Sequence, residues 1–213
     1  MEKLVSGVTQ FQKEKLTQHK ELFQTLADGQ SPEVLFITCA DSRIDPSLIT
    51  QTLPGELFIC RNAGNIVPPH SNNGEGMAAS IEYAVSALDI KHIVICGHTD
   101  CGAMKGVLNP GAIKSLPHVA NWLLHCDAAQ AKLNARHQNI GNQHLLEMTE
   151  ENVLLQLKHL ETHPSVAAKM AKGSLKLHGW IYDIATGEVN CYQEQQQAFV
   201  TIEACYADQN TDN

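Results

Sequence analysis

The chain has 213 residues, enough for one domain with a substantial core, and 43% of them are hydrophobic, which excludes a disordered chain. Fifteen Lys and Arg against 23 Asp and Glu leave a net charge of −8, and aromatics are 5%. That balance excludes a phosphate-gathering surface and a base-stacking platform, so no nucleic-acid partner is expected. No apolar run reaches the ~18 residues of a membrane span. The amphipathic start MEKLVSGVTQFQKEKL lacks the apolar stretch of a secretory signal, so no membrane partner and a cytoplasmic location are expected.

In chain order, Leu4, Val8, Phe11, Leu16, Leu22, Phe23 and Leu26 recur at roughly helical spacing and predict an amphipathic arm over residues 1–28. Turn residues from Ala27 to Pro32 close it. Val34–Cys39 reads as a short buried strand, and Leu57–Asn62 as a second, entered through Pro54-Gly55. Ala63–Gly76 is rich in Gly, Pro and Asn and reads as loop. Met77–Leu88 is helical in pattern, and His92–Cys96 is a third buried strand. Trp122–Leu133 and Val153–Leu160 read as helices, the second capped from Thr149-Glu150. Leu175–Asp183 and Glu188–Tyr192 predict a hairpin about Ala185-Thr186-Gly187. Residues 208–213 read as a flexible polar tail.

Strands alternating with helices predict a single α/β domain over 1–213. Its central sheet is mainly parallel with an antiparallel edge hairpin, is flanked by helices, and carries the N-terminal helical arm. In such a fold the carboxyl ends of parallel strands share one rim, where ligands bind.

Seven cysteines and eleven histidines stand out. An odd cysteine count without a signal peptide predicts no disulfide framework and raises the prior for a metal site. Two chemistry-bearing segments fall on the predicted rim. The first strand runs into Cys39-Ala40-Asp41-Ser42-Arg43, and the third into Gly97-His98-Thr99-Asp100-Cys101-Gly102. If these strands are neighbours, Cys39, His98 and Cys101 meet. Two thiolates and an imidazole suit zinc, and three protein ligands leave the open position of a catalytic site. A closed four-cysteine site fits poorly, because no C-x-x-C pair exists. Asp41 can either ligate the metal or be held away by Arg43. Held away, it accepts a hydrogen bond from a metal-bound hydroxide. Cys60 and Cys96 read as core thiols, and Cys126, Cys191 and Cys205 have no partner spacing. Gly74 and Gly76 read as a hinge before a helix rather than an anion cradle. His118, His125, His137 and His144 read as bland, with a second metal site the minor alternative.

C-A-D-S-R at 39–43 with G-H-T-D-C-G at 97–102 resembles the β-class carbonic anhydrases. The likeness extends through P-G-E-L-F at 54–58, R-N-A-G-N at 61–65, E-Y-A-V at 82–85 and H-G-W-I-Y-D at 178–183. The resemblance implies a zinc enzyme that interconverts carbon dioxide and bicarbonate. It also implies a homodimer, or a higher multiple of dimers, in which N-terminal helices reach across to the partner. It assigns one Zn2+ per chain to Cys39, His98 and Cys101, and the catalytic pair to Asp41 and Arg43. Gln30, Phe58, Ala63, Tyr83 and Gly102 fall at its substrate pocket. Gln30, Phe58 and Tyr83 match the plant-like branch, as in bacterial and cyanobacterial enzymes, some of them carboxysomal. The other branch has a Trp where this chain has Phe36, and Arg61 and Tyr182 match the rest of that branch's inhibitory bicarbonate site. A phenyl ring offers no donor, so that site is expected to stay empty and Asp41 to stay paired with Arg43. His70 is a candidate proton carrier, against a plain solvated loop residue. Rival functions are hydrolysis of carbonyl sulfide or carbon disulfide, and a non-catalytic zinc scaffold or redox sensor.

Overall fold

The computed structural model describes residues 1–71 and 76–207. Gly74 and the expected tail 208–213 lie outside the described residues. The chain divides into two compact units, Met1–Ser31 and Pro32–Asn213.

The first unit is helical, as its periodicity predicts. Helix α1 (Glu2–Gln10) continues through a π-helical stretch, Phe11–Lys15, into α2 (Leu16–Gln18), and α3 (Lys20–Ala27) follows. Phe11 and Phe23 meet edge to face at 5.7 Å. No residue of these helices is buried, and Leu4, Val5, Val8, Phe11 and Leu16 are exposed. An apolar stripe left in water is a surface that needs a partner.

The second unit is built on a six-stranded sheet. Its elements are β1 (Val34–Cys39), α4 (Pro46–Thr50), β2 (Leu57–Asn62), α5 (Gly76–Glu82) with a π-helical extension Tyr83–Ala87, β3 (His92–His98) and α6 (Gly102–Leu108). These are followed by α7 (Pro117–Leu123), α8 (Asp127–Arg136), α9 (Leu145–Glu161), α10 (Pro164–Ala171), β4 (Lys176–Tyr182), β5 (Val189–Gln193), β6 (Ala198–Thr201) and α11 (Ile202–Cys205). The strand order is β2-β1-β3-β4-β5-β6. The first four strands are mutually parallel, and β5 and β6 add an antiparallel edge. β4 belongs to the parallel core through β3 and also forms the expected hairpin with β5. β1 is buried on both faces, as its unbroken apolar run requires. Leu35 and Ile37 face a core with Ile81, Ile93, Val153 and Ile181, whereas Phe36 packs on the opposite face with Ile44, Val94 and Cys96.

Several local readings are corrected. The pattern over 122–133 is two helices, α7 and α8, joined by a short 3-10 turn. Thr149 caps nothing. α9 begins at Leu145, and the Thr149 hydroxyl donates to the Leu145 carbonyl one turn back (2.8 Å). Pro164 opens α10 at its first turn, where its missing N–H costs nothing. Cys191 and Cys205 form a disulfide. Their pairing depends on β6, which folds the chain back beside β5 and brings Cys205 to Cys191, 14 residues away.

Helix α9 crosses the sheet closely at two glycines. A Cβ on Gly97 would meet Val153, Thr149 and Ile181 at 2.9–3.1 Å, and one on Gly179 would meet Val153 at 2.9 Å. These two positions set the depth of α9 over β3 and β4. Gly97→Ala is expected to lower stability by about 1–3 kcal/mol through overpacking. Urea unfolding measures it; an unchanged midpoint contradicts the close approach.

Candidate metal centre

β1 and β3 are adjacent, with β2 and β4 flanking them, so the strand order reverses between them. This is the switch point at which open parallel sheets bind ligands. Cys39 ends β1 and His98 ends β3, and Cys101 follows on the turn into α6. The Thr99 N–H donates to the Tyr182 carbonyl, and the Ile184 N–H to the Thr99 hydroxyl at 3.0 Å, which fixes that turn to β4.

The sulfurs of Cys39 and Cys101 and a ring nitrogen of His98 all lie within 4.8 Å of one another. Cys39 is 6% exposed and the other two are fully buried. His98 Nδ1 donates to the Thr99 carbonyl (2.8 Å), so Nε2 carries the lone pair. That Nε2 is buried with no hydrogen-bond partner among the described residues. A buried acceptor left unmade is costly unless something fills it. The Cys101 thiol beside Cys39 holds Cys39 down, at about 4, against its burial; the same contact and burial push Cys101 up. Two buried sulfurs opposite an imidazole nitrogen with no hydrogen-bond partner form a donor set that a divalent soft cation would complete, the thiols giving up their protons on binding.

The R-N-A-G-N segment builds one wall. Asn62 clamps its own turn through Ile66, donating to its carbonyl (2.8 Å) and accepting from its N–H (2.7 Å). Gly64, at φ +81°, sits where a Cβ would press on Ala103 and Met104 at 3.0–3.1 Å. Its N–H donates to Cys39 Sγ at 3.4 Å. Asn152 on α9 donates to the Gly64 carbonyl (3.0 Å), and Gln156 accepts from the Val67 N–H (2.8 Å). Ala63 and Gly102 thus adjoin the donor cluster, each next in sequence to a residue at it.

Asp41 is held away. Its Oδ1 accepts from the Arg43 N–H (3.0 Å) and Nε (2.9 Å), and its Oδ2 from Arg43 Nη2 (2.7 Å). Arg43 keeps the Asp41 carboxyl well below the usual carboxylate range. Asp41 Oδ2 still lies 3.9 Å from His98 Nε2, at the edge of the cluster. Of the two alternatives open in the sequence, the structure shows the paired one. Arg61 clamps the loop after β1. Its Nε donates to the Cys39 carbonyl (3.0 Å) and its Nη2 to the Asp41 (2.7 Å) and Ile44 (2.9 Å) carbonyls. Phe36 is 1% exposed and meets Trp180 edge to face at 5.9 Å.

The family description "Carbonic anhydrase" matches residues 34–189. The solved β-carbonic anhydrase CcaA superimposes with a TM-score of 0.90 at 43% identity, covering 94% of this chain and 98% of that one. The chain belongs to the β-class carbonic anhydrases. A carbonic anhydrase of Synechocystis is 44% identical over 94% of this chain and 74% of its own length. One from Pseudomonas aeruginosa is 43% identical over 95% and 92%. A tetrameric β-carbonic anhydrase of Sordaria macrospora matches with a TM-score of 0.80 at 33% identity, covering 89% of this chain and 95% of that one.

Not every expected pocket residue of this carbonic anhydrase reaches the cluster within one chain. Phe58 registers with Leu35, four residues before Cys39. At ~3.3 Å per residue that is about 13 Å along the sheet. Tyr83 stays with Phe58, ring to ring at 6.0 Å, and is 50% exposed. Gln30 belongs to the first unit. His70 is exposed, its ring 5.6 Å from that of His163. Among the described residues Cys39, His98 and Cys101 are the one group of potential ligands; His137 instead pairs with Glu147 (2.7 Å). Two features escaped the sequence reading: the clamp role of Arg61, and Asp100 as a further partner of Arg43.

Proposed function

We propose that this carbonic anhydrase catalyses the reversible hydration of carbon dioxide to bicarbonate and a proton, with one zinc ion per chain held by Cys39, His98 and Cys101. The observation that carries the reading is the unpartnered, fully buried His98 Nε2 between two thiols, with Asp41 tied back by Arg43. When bound, zinc supplies the Lewis acidity that makes water nucleophilic near neutral pH.

The chain's own residues do the rest. Asp41, held by three hydrogen bonds from Arg43, keeps an oxygen at the cluster's edge to accept a hydrogen bond from the attacking water and orient it. The small residues Ala63 and Gly102 leave room beside the cluster for a linear triatomic. Phe58 and Tyr83 form an apolar wall suited to an uncharged substrate, and Gln30 offers an amide to a developing bicarbonate oxygen. Because Phe58 stands about 13 Å along the sheet from Cys39 in its own chain, with Tyr83 beside it, a second copy of the chain supplies that wall. The exposed apolar stripe of the N-terminal helices supports the same homodimer. Among the described residues no helix is long and apolar enough to cross a membrane, which is compatible with work in the cytoplasm.

Stopped-flow hydration of carbon dioxide, run beside hydrolysis of carbonyl sulfide and carbon disulfide on one zinc-loaded preparation, tests the reading. Hydration is expected to be much the fastest. Hydrolysis of either sulfur compound with negligible hydration overturns it.

A further inference from the structure

The fork between Arg43 and Asp41 does not by itself fix Asp41. Both residues lie on the loop after β1, whose backbone Arg61 on β2 clamps through the Cys39, Asp41 and Ile44 carbonyls. That clamp holds backbone and not the Arg43 side chain on which the Asp41 carboxylate rests, and the structure gives that side chain an anchor of its own on a different element. Arg43 Nη1 donates to Asp100 Oδ2 at 2.9 Å, and Nη2 donates to the Asp100 carbonyl at 3.2 Å. Asp100 stands between His98 and Cys101, on the turn after β3. Its backbone is left-handed, at φ +59°, a region that Asp tolerates better than most residues. In that conformation its carbonyl and its carboxylate reach the same guanidinium. Its other oxygen pairs with Lys105 on α6. The charges then alternate from Asp41 through Arg43 and Asp100 to Lys105.

Folding stability does not account for this arrangement. The Arg43 and Asp100 side chains are 43% and 53% exposed, and ion pairs that open to water contribute little to stability. The pair instead ties the loop that carries Asp41 to the turn that carries two of the three candidate ligands.

We infer that Asp100 is a positioning residue for hydration: through Arg43 it holds Asp41 at the edge of the Cys39–His98–Cys101 cluster and out of the open ligand position. The inference rests on the function proposed above. Removing the Asp100 carboxylate leaves Arg43 with one side-chain partner. Asp41 then drifts by the fraction of an ångström to which a catalytic group is sensitive.

The test uses the full-length zinc-loaded protein and the variants Asp100→Gly and Asp100→Asn. Glycine keeps the left-handed backbone and deletes the carboxylate, while asparagine keeps the shape and one acceptor oxygen. For Asp100→Gly, kcat is expected to fall roughly 10- to 100-fold, with kcat/KM falling in step. Zinc content and thermal midpoint should stay at wild-type values. Asp100→Asn is expected to recover most of the rate. Independently of turnover, modification of Arg43 by phenylglyoxal, followed by peptide mass, is expected to be several-fold faster in Asp100→Gly. Unchanged kcat and an unchanged modification rate overturn the inference. Loss of rate together with loss of zinc also overturns it, by making Asp100 a support of the metal turn. Faster modification in a protein whose wild type does not hydrate carbon dioxide defeats the hydration reading and leaves the anchor of Arg43 standing.

Discussion

Replacing Cys101 by Ala is expected to abolish zinc binding and carbon dioxide hydration together. Cys101 is fully buried, and its thiol lies within 4.8 Å of both other donors. A methyl group there leaves two protein ligands and removes the thiol beside Cys39. Loss of a residue that only supports a ligand costs ~10–100-fold in metal affinity, so loss of a ligand should cost more, and hydration should fall to the uncatalysed background. Metal analysis and stopped-flow rates on the same sample check this. Full zinc occupancy in Cys101→Ala would remove Cys101 from the ligand set.

An inactive chain and an impaired one are expected to rescue each other. If Tyr83 of one copy faces the metal centre of the other, a Cys101→Ala chain lacks the metal but keeps the wall. A Tyr83→Ala chain keeps the metal and lacks part of the wall, with its rate lowered roughly tenfold or more. Tyr83 is 50% exposed, so its loss should leave the fold intact. Random pairing in a two-fold dimer makes half of the dimers hybrids, each with one complete site, so mixed chains should regain about a quarter of the wild-type rate. Refolded mixtures with the hybrid confirmed by mass measure it. No recovery in a verified hybrid places the wall in the same chain as the metal.

What the sequence made legible follows from burial. β1 and β3 read clearly because packing on both faces of the sheet buries them, which demands unbroken apolar runs. The metal cluster followed, since the two runs end in the donor residues. β6 did not read as a strand, because four residues on a half-exposed edge carry no run and no strict alternation. Without β6 the Cys191–Cys205 disulfide had no visible cause. α6 was hidden by Gly102 and Gly106; the latter is demanded by close contact with Ile113 and Leu123. Thr149 looked like a cap because local spacing cannot tell a hydroxyl that starts a helix from one bonded a turn back inside it. The pocket is the largest gap. Resemblance names Phe58 and Tyr83, but only strand register shows that Phe58 stands four residues along the sheet from Cys39, with Tyr83 beside it. Asp100 was in view between His98 and Cys101; its link to Arg43, 57 residues away, exists only in three dimensions.

The central claim is that one zinc ion per chain, held by Cys39, His98 and Cys101, makes this β-carbonic anhydrase a catalyst of carbon dioxide hydration. The most direct measurement strips the metal with a chelator and titrates zinc back while following stopped-flow hydration. The account predicts no catalysis in the stripped protein and a linear return of activity that breaks at one zinc per chain. Full hydration activity in verified metal-free protein, or a return that breaks at any other stoichiometry, would contradict it.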